Sequence, residues 1–254
     1  MEPLIHLRDK VAIVTGASRG IGESIARTYA QHGAKVVVAS RKIDGLRSVA
    51  EAIEKDGGEA LAHACHTGSK EQIEELFAAA IARFGKVDVV VNNAATNPYF
   101  GPMVSIEEAA FDKTFEVNVK GYFYTSCALV QHLASRNAGG AIVNVASVAA
   151  LLAMPLQGVY AMTKAAVVSM TKTLAMELGP SGIRVNAIAP GLVDTKFASA
   201  LTANPDILKM VMDRTALKKV AQPIDIAGVA LLLASDAGAY MTGETVVVDG
   251  GWTL

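Results

Sequence analysis

Tyr160 and Lys164 stand four residues apart, and no helix breaker separates them. In a helix, this spacing would place the phenol and the ammonium on one face. A free tyrosine has a pKa of about 10 and exchanges protons poorly near neutrality, whereas a neighbouring cation favours the phenolate and lowers that pKa. The pair is therefore a candidate proton-transfer device. Because the same spacing also arises by chance on solvated helix faces, this hypothesis needs support from elsewhere in the chain.

A glycine-rich turn follows the first apolar strand of the chain. Residues 11–15 form a β-branched apolar run, three glycines follow it, and a helical pattern begins near residue 21. In such a unit Gly16 permits the tight turn, Gly20 lets the backbone approach a pyrophosphate, and Gly22 lets the helix pack on the strand. The helix N-terminus adds free amides and a positive dipole end. The glycine spacing departs from the G-x-G-x-x-G fingerprint, but its context predicts dinucleotide binding.

A series of further motifs completes the pattern. In chain order the motifs are Thr15-Gly16-x-x-x-Gly20-x-Gly22, Asn92-Asn93-Ala94-Ala95, Asn118, Ser147, Tyr160-x-x-x-Lys164 and Pro190-Gly191-x-x-x-Thr195. In this order they resemble the short-chain dehydrogenase/reductase family along essentially the whole chain. The resemblance implies that Tyr160 gives a proton to a carbonyl oxygen that Ser147 holds, as hydride reaches the carbonyl carbon. It also implies that Lys164 lowers the pKa of the phenol and holds the nicotinamide ribose, and that Asn118, at a local helix distortion, holds a proton-relaying water.

The same resemblance implies a set of cofactor contacts. Around the pyrophosphate these are Gly16, Ser18, Arg19, Gly20, Ile21 and Gly22. Asn92 and Ala94 are expected to line the cofactor floor. The carboxamide would be framed by Pro190, Gly191, Val193 and Thr195. Many relatives have an aspartate after the third strand to meet the adenine amine, and here His66 lies in that region. We expect either a ring nitrogen of His66 or only the backbone to contribute there.

The end of the second strand favours NADP(H) over NAD(H). NAD binders commonly place a carboxylate there for the ribose 2′-hydroxyl, and a carboxylate would repel a 2′-phosphate. This chain instead has Ser40, Arg41 and Lys42. Arg19 in the glycine loop could close on the phosphate from the other side, since guanidinium groups suit phosphate geometry. The alternative is that Arg41 and Lys42 only solvate a loop, which leaves NAD(H) possible.

Composition restricts the partners and the compartment. The chain has 23 basic and 24 acidic side chains, so we expect no nucleic-acid or membrane partner. Cys65 and Cys127 are too few for a disulfide framework and lack CxxC spacing, which favours a reducing cytosol. The N-terminal residues carry charges, and no apolar stretch reaches about 18 residues. We therefore expect a soluble cytoplasmic protein. The remaining histidines have no metal-binding spacing, so no metal site is predicted.

Short apolar strands alternate with longer amphipathic helices, which is typical of a parallel sheet wrapped on both faces. The predicted strands are 11–15, 35–39, 59–64, 87–91, 141–145, 184–189 and 244–248. The predicted helices lie near 21–32, 44–56, 69–84, 106–135, 159–179 and 223–235. Capping boxes are predicted at Ser69–Gln72 and Ser105–Glu108. With 254 residues and no repeat or linker, we expect one α/β domain, a doubly wound Rossmann sheet of about seven strands with helices on both faces.

Two segments are expected to act beyond this scaffold. The stretch 192–218 lies outside the alternation and is apolar, which predicts a mobile substrate lid, with a packed helix pair as the alternative. The helices near 106–135 and 159–179 are apolar around much of their circumference, which predicts a homotetramer, or at least a homodimer. The residues that carry this prediction are Val167, Val168, Met170, Leu174, Ala175 and Met176. The apolar tail Trp252–Leu254 is expected close to a neighbouring subunit's active site, or else folded over its own pocket.

The sequence thus predicts an NADP(H)-dependent oxidoreductase that reduces a hydrophobic ketone, aldehyde or dicarbonyl to the alcohol. A finer resemblance, in segments 65–68, 93–101 and 189–197, is to the branch that contains peroxisomal NADPH-dependent carbonyl and retinal reductases. The substrate is expected to enter over Tyr99, Phe100, Leu151 and Met154. Three alternatives remain: an NAD-dependent alcohol dehydrogenase, a 3-oxoacyl thioester reductase, and a non-enzymatic nucleotide-sensing scaffold. An intact Ser147, Tyr160 and Lys164 set disfavours the scaffold.

Overall fold

The computed structural model describes residues 4–199 and 205–254. Within them the elements of regular structure alternate along the chain. They are β1 Val11–Thr15, α1 Gly20–Gln31, β2 Lys35–Ser40, α2 Ile43–Lys55, β3 Glu59–Ala64, α3 Lys70–Phe84, β4 Val89–Asn92, α4 Glu108–Phe115, α5 Gly121–Ser135, β5 Gly140–Val145, α6 Gly158–Leu178, β6 Ile183–Pro190, α7 Pro205–Arg214, α8 Pro223–Ala234 and β7 Thr245–Val248. The strands form one parallel sheet in the order β3-β2-β1-β4-β5-β6-β7. The predicted seven-stranded, doubly wound sheet is confirmed.

Alternate side chains of each central strand enter different cores, because successive residues of a strand point to opposite faces. Val36 and Val38 of β2 belong to the core packed under α1, α2 and α8. Val37, between them, belongs to the core under α3, α5 and α6. Both faces are therefore dry, which explains why these strands are continuous apolar runs rather than alternating ones.

The strand order reverses between β1 and β4. In an open parallel sheet, a crevice forms outside the carboxyl ends of the strands at such a switch point. Here the glycine turn follows β1, and the Asn92-Asn93-Ala94 segment follows β4. The topology thus brings together two motifs that lie far apart in the sequence.

The predicted helix 106–135 is interrupted. A π-helical segment, Glu116–Lys120, separates α4 from α5. The Ser105–Glu108 capping box was wrong, because Glu107 occupies the N-cap position of α4 and its side chain makes no capping bond. The Ser69–Gln72 box is half present. Ser69 Oγ accepts from the Gln72 backbone N–H at 3.3 Å, whereas the Gln72 side chain accepts from the His66 backbone.

The predicted lid, 192–218, contains α7 as its regular element, and its residues 200–204 lie outside the described part of the chain. A small apolar cluster of Leu192, Ala198 and Val211 holds the segment together. Trp252 of the C-terminal tail packs against this cluster, so the tail folds onto the insert of its own subunit. None of the helices in the described ranges is long and apolar enough to cross a membrane.

Candidate active site

The turn after β1 is shaped for close backbone approach. Gly16 and Gly20 have φ values of 65° and 61°, in the left-handed region that L side chains rarely adopt. A Cβ on Gly22 would lie 2.5 Å from Asn93 Nδ2, and one on Gly16 would lie 2.8 Å from the Ala94 backbone. A side chain at either position would therefore collide with the neighbouring segment. The glycines are required by packing as well as by backbone conformation.

Thr15 and Asn93 fasten the two strand ends to each other. Thr15 Oγ1 donates to the carbonyl of Val91 at 3.1 Å and accepts from the backbone N–H groups of Asn93 and Ala94 at 3.0 and 3.1 Å. Asn93 Nδ2 donates to the carbonyls of Thr15 and Gly16 at 2.9 and 3.2 Å. These bonds fix the glycine turn to the loop after β4. Asn93 and Thr15 stood in the sequence motifs, but neither was assigned a role.

The first turn of α1 is open to an anion. Arg19 occupies its N-cap position in an extended conformation, and within the described residues no side chain caps that end. Uncapped amides and the helix dipole together attract a negatively charged group. Ser18 and Ile21 flank this end and are half-buried, whereas Arg19 is exposed. The glycine turn and this helix end therefore fit the pyrophosphate of a dinucleotide.

The end of β2 presents polar and cationic side chains to solvent. Ser40 is half-buried and donates to the carbonyl of Lys42 at 3.3 Å. Arg41 and Lys42 are exposed just before α2, and none of the ion pairs among the described residues engages either of them. Both cations are thus available to a ligand at this edge.

His66 is already engaged within the chain. The Gly68 backbone N–H lies 3.0 Å from its Nδ1, and Lys113 Nζ lies 2.8 Å from its Nε2. Glu116 completes the cluster by pairing with Lys113 at 3.2 Å. Because each ring nitrogen faces a partner, the geometry favours the second alternative above, in which only the backbone of this segment meets an adenine.

The segment after β6 closes over the glycine turn. A Cβ on Gly20 would lie 3.2 Å from Thr195 Cγ2, so Thr195 sits directly above the turn. Pro190 ends β6, and Val193 pairs with Ala221 in an isolated parallel bridge. Gly191 is held by close contact, since a Cβ there would meet the Asp249 backbone at 2.9 Å. The segment therefore lies beside the glycine turn, and its role as a frame for the carboxamide stays a prediction.

The side chain of Asn92 is buried and hydrogen-bonded within the protein, and it does not line an open surface. Its Nδ2 donates to Asn144 Oδ1 at 2.9 Å and to Ser126 Oγ at 3.3 Å, and its side chain is 1% exposed. The Oδ1 atom has no partner among the described residues. Ala94, in contrast, is half-buried beside Gly16. Of the two predicted floor residues, Ala94 lies against the turn, whereas the side chain of Asn92 is bonded to α5 and β5 in the protein interior.

Tyr160 and Ser147 meet at the carboxyl end of β5. Ser147 caps a short 3₁₀ turn through a bond from the Ala149 N–H to its Oγ at 3.1 Å. Tyr160 lies in the first turn of α6 and is 9% exposed. Burial raises the pKa of the Tyr160 phenol to about 12, and a hydrogen bond from Ser147 acts in the opposite direction. The expected lowering of the phenol pKa by Lys164 is therefore not found.

The contacts of Lys164 explain why it does not lower the pKa of Tyr160. Its Nζ donates to the carbonyl of Val145 at 2.7 Å and to Tyr122 Oη at 3.2 Å, and it lies 5.7 Å from the centre of the Tyr160 ring. The side chain is 1% exposed. Burial lowers the pKa of Lys164 to about 7, because desolvation disfavours the charged form. Lys164 and Tyr160 share a helix face as predicted, but the ammonium is bonded to other groups.

Asn118 lies in the π-helical segment, so the predicted helix distortion is present. Its side chain is fully buried. Oδ1 accepts from the Thr96 N–H at 2.8 Å, and Nδ2 donates to the Thr96 carbonyl at 2.9 Å and to Thr163 Oγ1 at 3.1 Å. The amide therefore anchors the loop after β4 against α6.

The apolar residues that were predicted to admit the substrate do not lie together around Tyr160. Phe197 covers Tyr160, with ring centroids 6.0 Å apart, whereas Phe100 and Leu151 are exposed. Met154 lines an apolar groove of about 660 Å³ that also includes Met162. This groove runs along a different face of α6 from the one that carries Tyr160 and Lys164. It therefore lies apart from Ser147, Tyr160 and Lys164.

A switch-point glycine turn and a serine, tyrosine and lysine set at the strand ends define a Rossmann-type oxidoreductase. The profile of a family described as enoyl-(acyl carrier protein) reductase matches residues 16–253. Dehydrogenase/reductase SDR family member 4 from Homo sapiens is 40% identical over 245 residues, which are 96% of this chain and 88% of that protein. The chain belongs to the short-chain dehydrogenase/reductase family, a family of oxidoreductases that act on CH–OH and C=O groups. The predicted family is confirmed.

Solved structures agree with this assignment. A 7α-hydroxysteroid dehydrogenase in complex with NADH and 7-oxo glycochenodeoxycholic acid is 35% identical, with a TM-score of 0.94, over 99% of this chain and 98% of that chain. A gluconate 5-dehydrogenase from Burkholderia cenocepacia in complex with NADP and tartrate is 31% identical, with a TM-score of 0.94, over 98% and 97% of the two chains.

Proposed function

We propose that this chain is an NADP(H)-dependent carbonyl reductase that converts a hydrophobic ketone, aldehyde or dicarbonyl to the alcohol, with Tyr160 as proton donor. The observation that carries the proposal is the buried Tyr160 phenol, whose pKa is raised to about 12, beside Ser147 and one helical turn from the Lys164 ammonium. A phenol with a raised pKa remains protonated at neutral pH. It thus carries the proton that the reductive direction requires, and because the raised pKa makes it a weaker acid, transfer of that proton needs a neighbouring charge to stabilise the phenolate.

In this mechanism two side chains, Ser147 and Tyr160, act on the carbonyl oxygen, and a third, Lys164, acts on Tyr160. The bound dinucleotide supplies the hydride in reduction. Ser147 donates a hydrogen bond to the carbonyl oxygen and fixes the carbonyl beside Tyr160. Tyr160 transfers its hydroxyl proton to that oxygen. The phenolate left behind is stabilised by the charge of Lys164, which lies within the same buried pocket. Because water is excluded, this electrostatic stabilisation is stronger than it would be in solvent.

The nicotinamide dinucleotide fits the residues that surround the glycine turn. The left-handed glycines and the uncapped α1 N-terminus suit its pyrophosphate. NADP(H) preference is supported by Arg41 and Lys42 at the end of β2, where an NAD-binding chain commonly has a carboxylate. The similar solved structures hold NADH in one case and NADP in the other. The preference therefore depends on this chain's own cations.

The substrate class rests on the side chains around Tyr160. Phe197 lies over the tyrosine ring, and Leu192, Ala198 and Val211 form the apolar interior of the segment that carries it. We propose that residues 192–218 form the substrate lid of a single-domain enzyme, closed against the tail by Trp252. A hydrophobic carbonyl compound would be held between this lid and the loop after β5.

We further propose that the protein is cytoplasmic and tetrameric. Both cysteines in the described residues are free, which supports a reducing compartment. Val167 and Ala175 are buried in the subunit's own core, whereas Met176 is 82% exposed. Phe123 and Met162 are also exposed on α5 and α6. These three side chains support a subunit interface across the helix pair.

An NAD-dependent alcohol dehydrogenase is the second candidate. The NADH-bound hydroxysteroid dehydrogenase among the similar structures favours it. The same site residues would then act in the opposite direction, with Tyr160 accepting the proton of the alcohol. Initial rates with NADPH and a carbonyl panel, compared with NADH on the same panel and NAD⁺ with alcohols, separate the two candidates.

Tyr160→Phe tests the proposed mechanism. The substitution removes the acidic proton and keeps the ring, so NADPH binding should persist while kcat falls by roughly 10²–10⁴-fold. Tyr124→Phe, on the half-buried side of α5, serves as the matched control and should keep normal turnover. NADPH consumption measures turnover, and cofactor fluorescence measures binding. Near-normal turnover in a folded Tyr160→Phe protein would refute the mechanism.

A further inference from the structure

A second buried phenol contacts the catalytic lysine. Tyr122, in the first turn of α5, is 1% exposed. Its Oη accepts from Lys164 Nζ at 3.2 Å and donates to the Val145 carbonyl at 3.1 Å. The same carbonyl accepts from Lys164 at 2.7 Å. The three groups form a closed triangle at the carboxyl end of β5, two residues before Ser147.

We propose that Tyr122 is a positioning residue for Lys164: it holds the ammonium at the end of β5 and stabilises the charge that Tyr160 needs during proton transfer. This inference rests on the proposed function. It assigns no contact between Tyr122 and the substrate. Tyr122 acts through Lys164, by supplying one of the two acceptors that the ammonium has within the described residues.

The direction of each bond in the triangle follows from its chemistry. The Val145 carbonyl can only accept, so the Tyr122 hydroxyl proton points to it. An oxygen lone pair of Tyr122 is then left for the Lys164 ammonium. Burial raises the pKa of Tyr122 well above its usual value, so the phenol keeps this proton at any working pH. The acceptor offered to Lys164 is therefore constant.

Lys164 depends on these acceptors because few groups surround it. The titratable groups that face it in the described structure are two phenols, Tyr122 from α5 and Tyr160 from its own helix. β5 contributes the carbonyl of Val145. Burial already lowers the pKa of Lys164 to about 7. A further loss of one charge-assisted hydrogen bond would lower this pKa again, so that less of Lys164 would be charged at neutral pH.

The expected effect has a definite sign. The Tyr122 oxygen stabilises the charged form of Lys164, so its removal lowers the pKa of Lys164, by about one pH unit or more. Carbonyl reduction needs the charged lysine. The alkaline loss of kcat/KM should therefore begin about one pH unit lower in Tyr122→Phe than in the native protein. Substitution of a residue that only supports packing would not shift the pH at which kcat/KM falls on the alkaline side.

Tyr29→Phe is the matched control. Tyr29 is also fully buried, and its hydroxyl donates to a backbone carbonyl, that of Ala230, at 2.8 Å. It packs in the core under α1, α2 and α8, away from Lys164. Both substitutions remove one phenol oxygen and one phenol-to-carbonyl bond, but only Tyr122→Phe also removes an acceptor from Lys164. The pH profile of Tyr29→Phe should match that of the native protein.

The experiment combines the pH dependence of kcat/KM with direct titration of Lys164 by NMR of lysine labelled at Cε, in both variants and the native protein. A lower Lys164 pKa in Tyr122→Phe alone supports the inference, and superimposed titrations overturn it. If Tyr122→Phe does not fold, Tyr122→Met fills the site without a strong acceptor and should show the same shift. The NMR titration needs no turnover, so an inactive native protein would refute the proposed function while the effect of Tyr122 on Lys164 is still measured.

Discussion

Asn118 pairs with the backbone of Thr96 through both ends of its amide. Oδ1 accepts from the Thr96 N–H at 2.8 Å, and Nδ2 donates to the Thr96 carbonyl at 2.9 Å. The side chain thereby satisfies both backbone groups of Thr96, as a neighbouring strand would, and fixes the loop after β4. The π-helical segment makes this possible, because it offsets the helix where Asn118 projects toward the loop. The structure thus shows Asn118 as an anchor for the loop after β4, while its predicted role in holding a water stays a prediction.

Asn118→Asp tests this anchoring. The carboxylate can still accept from the Thr96 N–H, but its second oxygen faces a carbonyl and loses the donor bonds. In a fully buried position, we expect a fall of roughly 2–4 kcal/mol in the free energy of unfolding, together with reduced kcat. Urea unfolding and steady-state kinetics measure the two effects. Asn137→Asp, at an exposed turn, makes the same chemical change and should leave both quantities unaltered.

Arg41→Ala tests the cofactor preference. If the guanidinium binds the 2′-phosphate, its loss should weaken NADPH binding by about tenfold to a hundredfold and leave NADH binding nearly unchanged. Fluorescence titration with each cofactor provides the measurement. Arg47→Ala, on the exposed side of α2, removes the same charge nearby and should affect neither cofactor. Equal losses for NADPH and NADH would show that Arg41 does not contact the 2′-phosphate.

The parts predictable from the sequence are those set by local rules. Continuous apolar strands, glycine turns and their alternation with helices predicted the sheet, and the motifs predicted which strand ends carry the site. Tyr122 carried no such signal. It lies 42 residues from Lys164 in the chain, and their contact depends on how α5 and α6 pack on β5. The altered pKa of Tyr160 also required the fold, because burial is the dominant cause.

Asp88, just before β4, binds the first residue of the neighbouring strand β1. This contact predicts that the stability of the fold is sensitive to acid. Its side chain is 7% exposed, and the carboxylate accepts from the Val11 N–H at 3.0 Å and pairs with Lys86 and Arg136 at 3.0 and 3.1 Å. Burial would raise the pKa of this carboxyl, but the Val11, Lys86 and Arg136 contacts outweigh burial and leave the pKa below its usual value.

Because the folded pKa of Asp88 is depressed, its stabilising effect is complete above the unfolded value of about 4 and is lost as pH falls through the lower folded value. Asp88→Asn should lower the free energy of unfolding at neutral pH by roughly 2–3 kcal/mol and flatten its decline below about pH 4. Urea unfolding across acid pH measures both effects. Asp56→Asn, at an exposed helix end, removes an equal charge, and an identical flattening there would contradict the assignment to Asp88.

Met176→Glu tests the proposed subunit interface. Met176 is 82% exposed on α6, so a glutamate there should be tolerated by an isolated subunit. In a tetramer joined across α5 and α6, the same change would place charges in an apolar contact and favour smaller assemblies. Light scattering at working concentration measures the mass. Ala78→Glu, at an exposed position of α3, provides the control. A stable, fully active monomer of the native chain would reject the tetramer itself.

The last prediction concerns the tail. Asp249 shapes it, since its carboxylate accepts from the N–H groups of Gly251 and Thr253 at 2.8 and 2.7 Å. This turn directs Trp252 onto the cluster of Leu192, Ala198 and Val211. The tail therefore braces the insert that carries Phe197, rather than the sheet. Its removal should loosen the proposed lid and leave the nucleotide-binding half of the site intact.

Deletion of Trp252–Leu254 should accordingly raise the KM for carbonyl substrate several-fold, with NADPH affinity nearly unchanged. Deletion of Leu254 alone is the control, because this residue is fully exposed. The mass of the oligomer, measured together with KM, distinguishes two ways in which the tail could act. A brace within one subunit changes KM at constant mass, whereas a tail that reaches a neighbouring subunit's active site changes KM and mass together. Unaltered kinetics and mass after the three-residue deletion would show that the packing of Trp252 contributes nothing to the site, and the insert would then have to be held by its own apolar cluster.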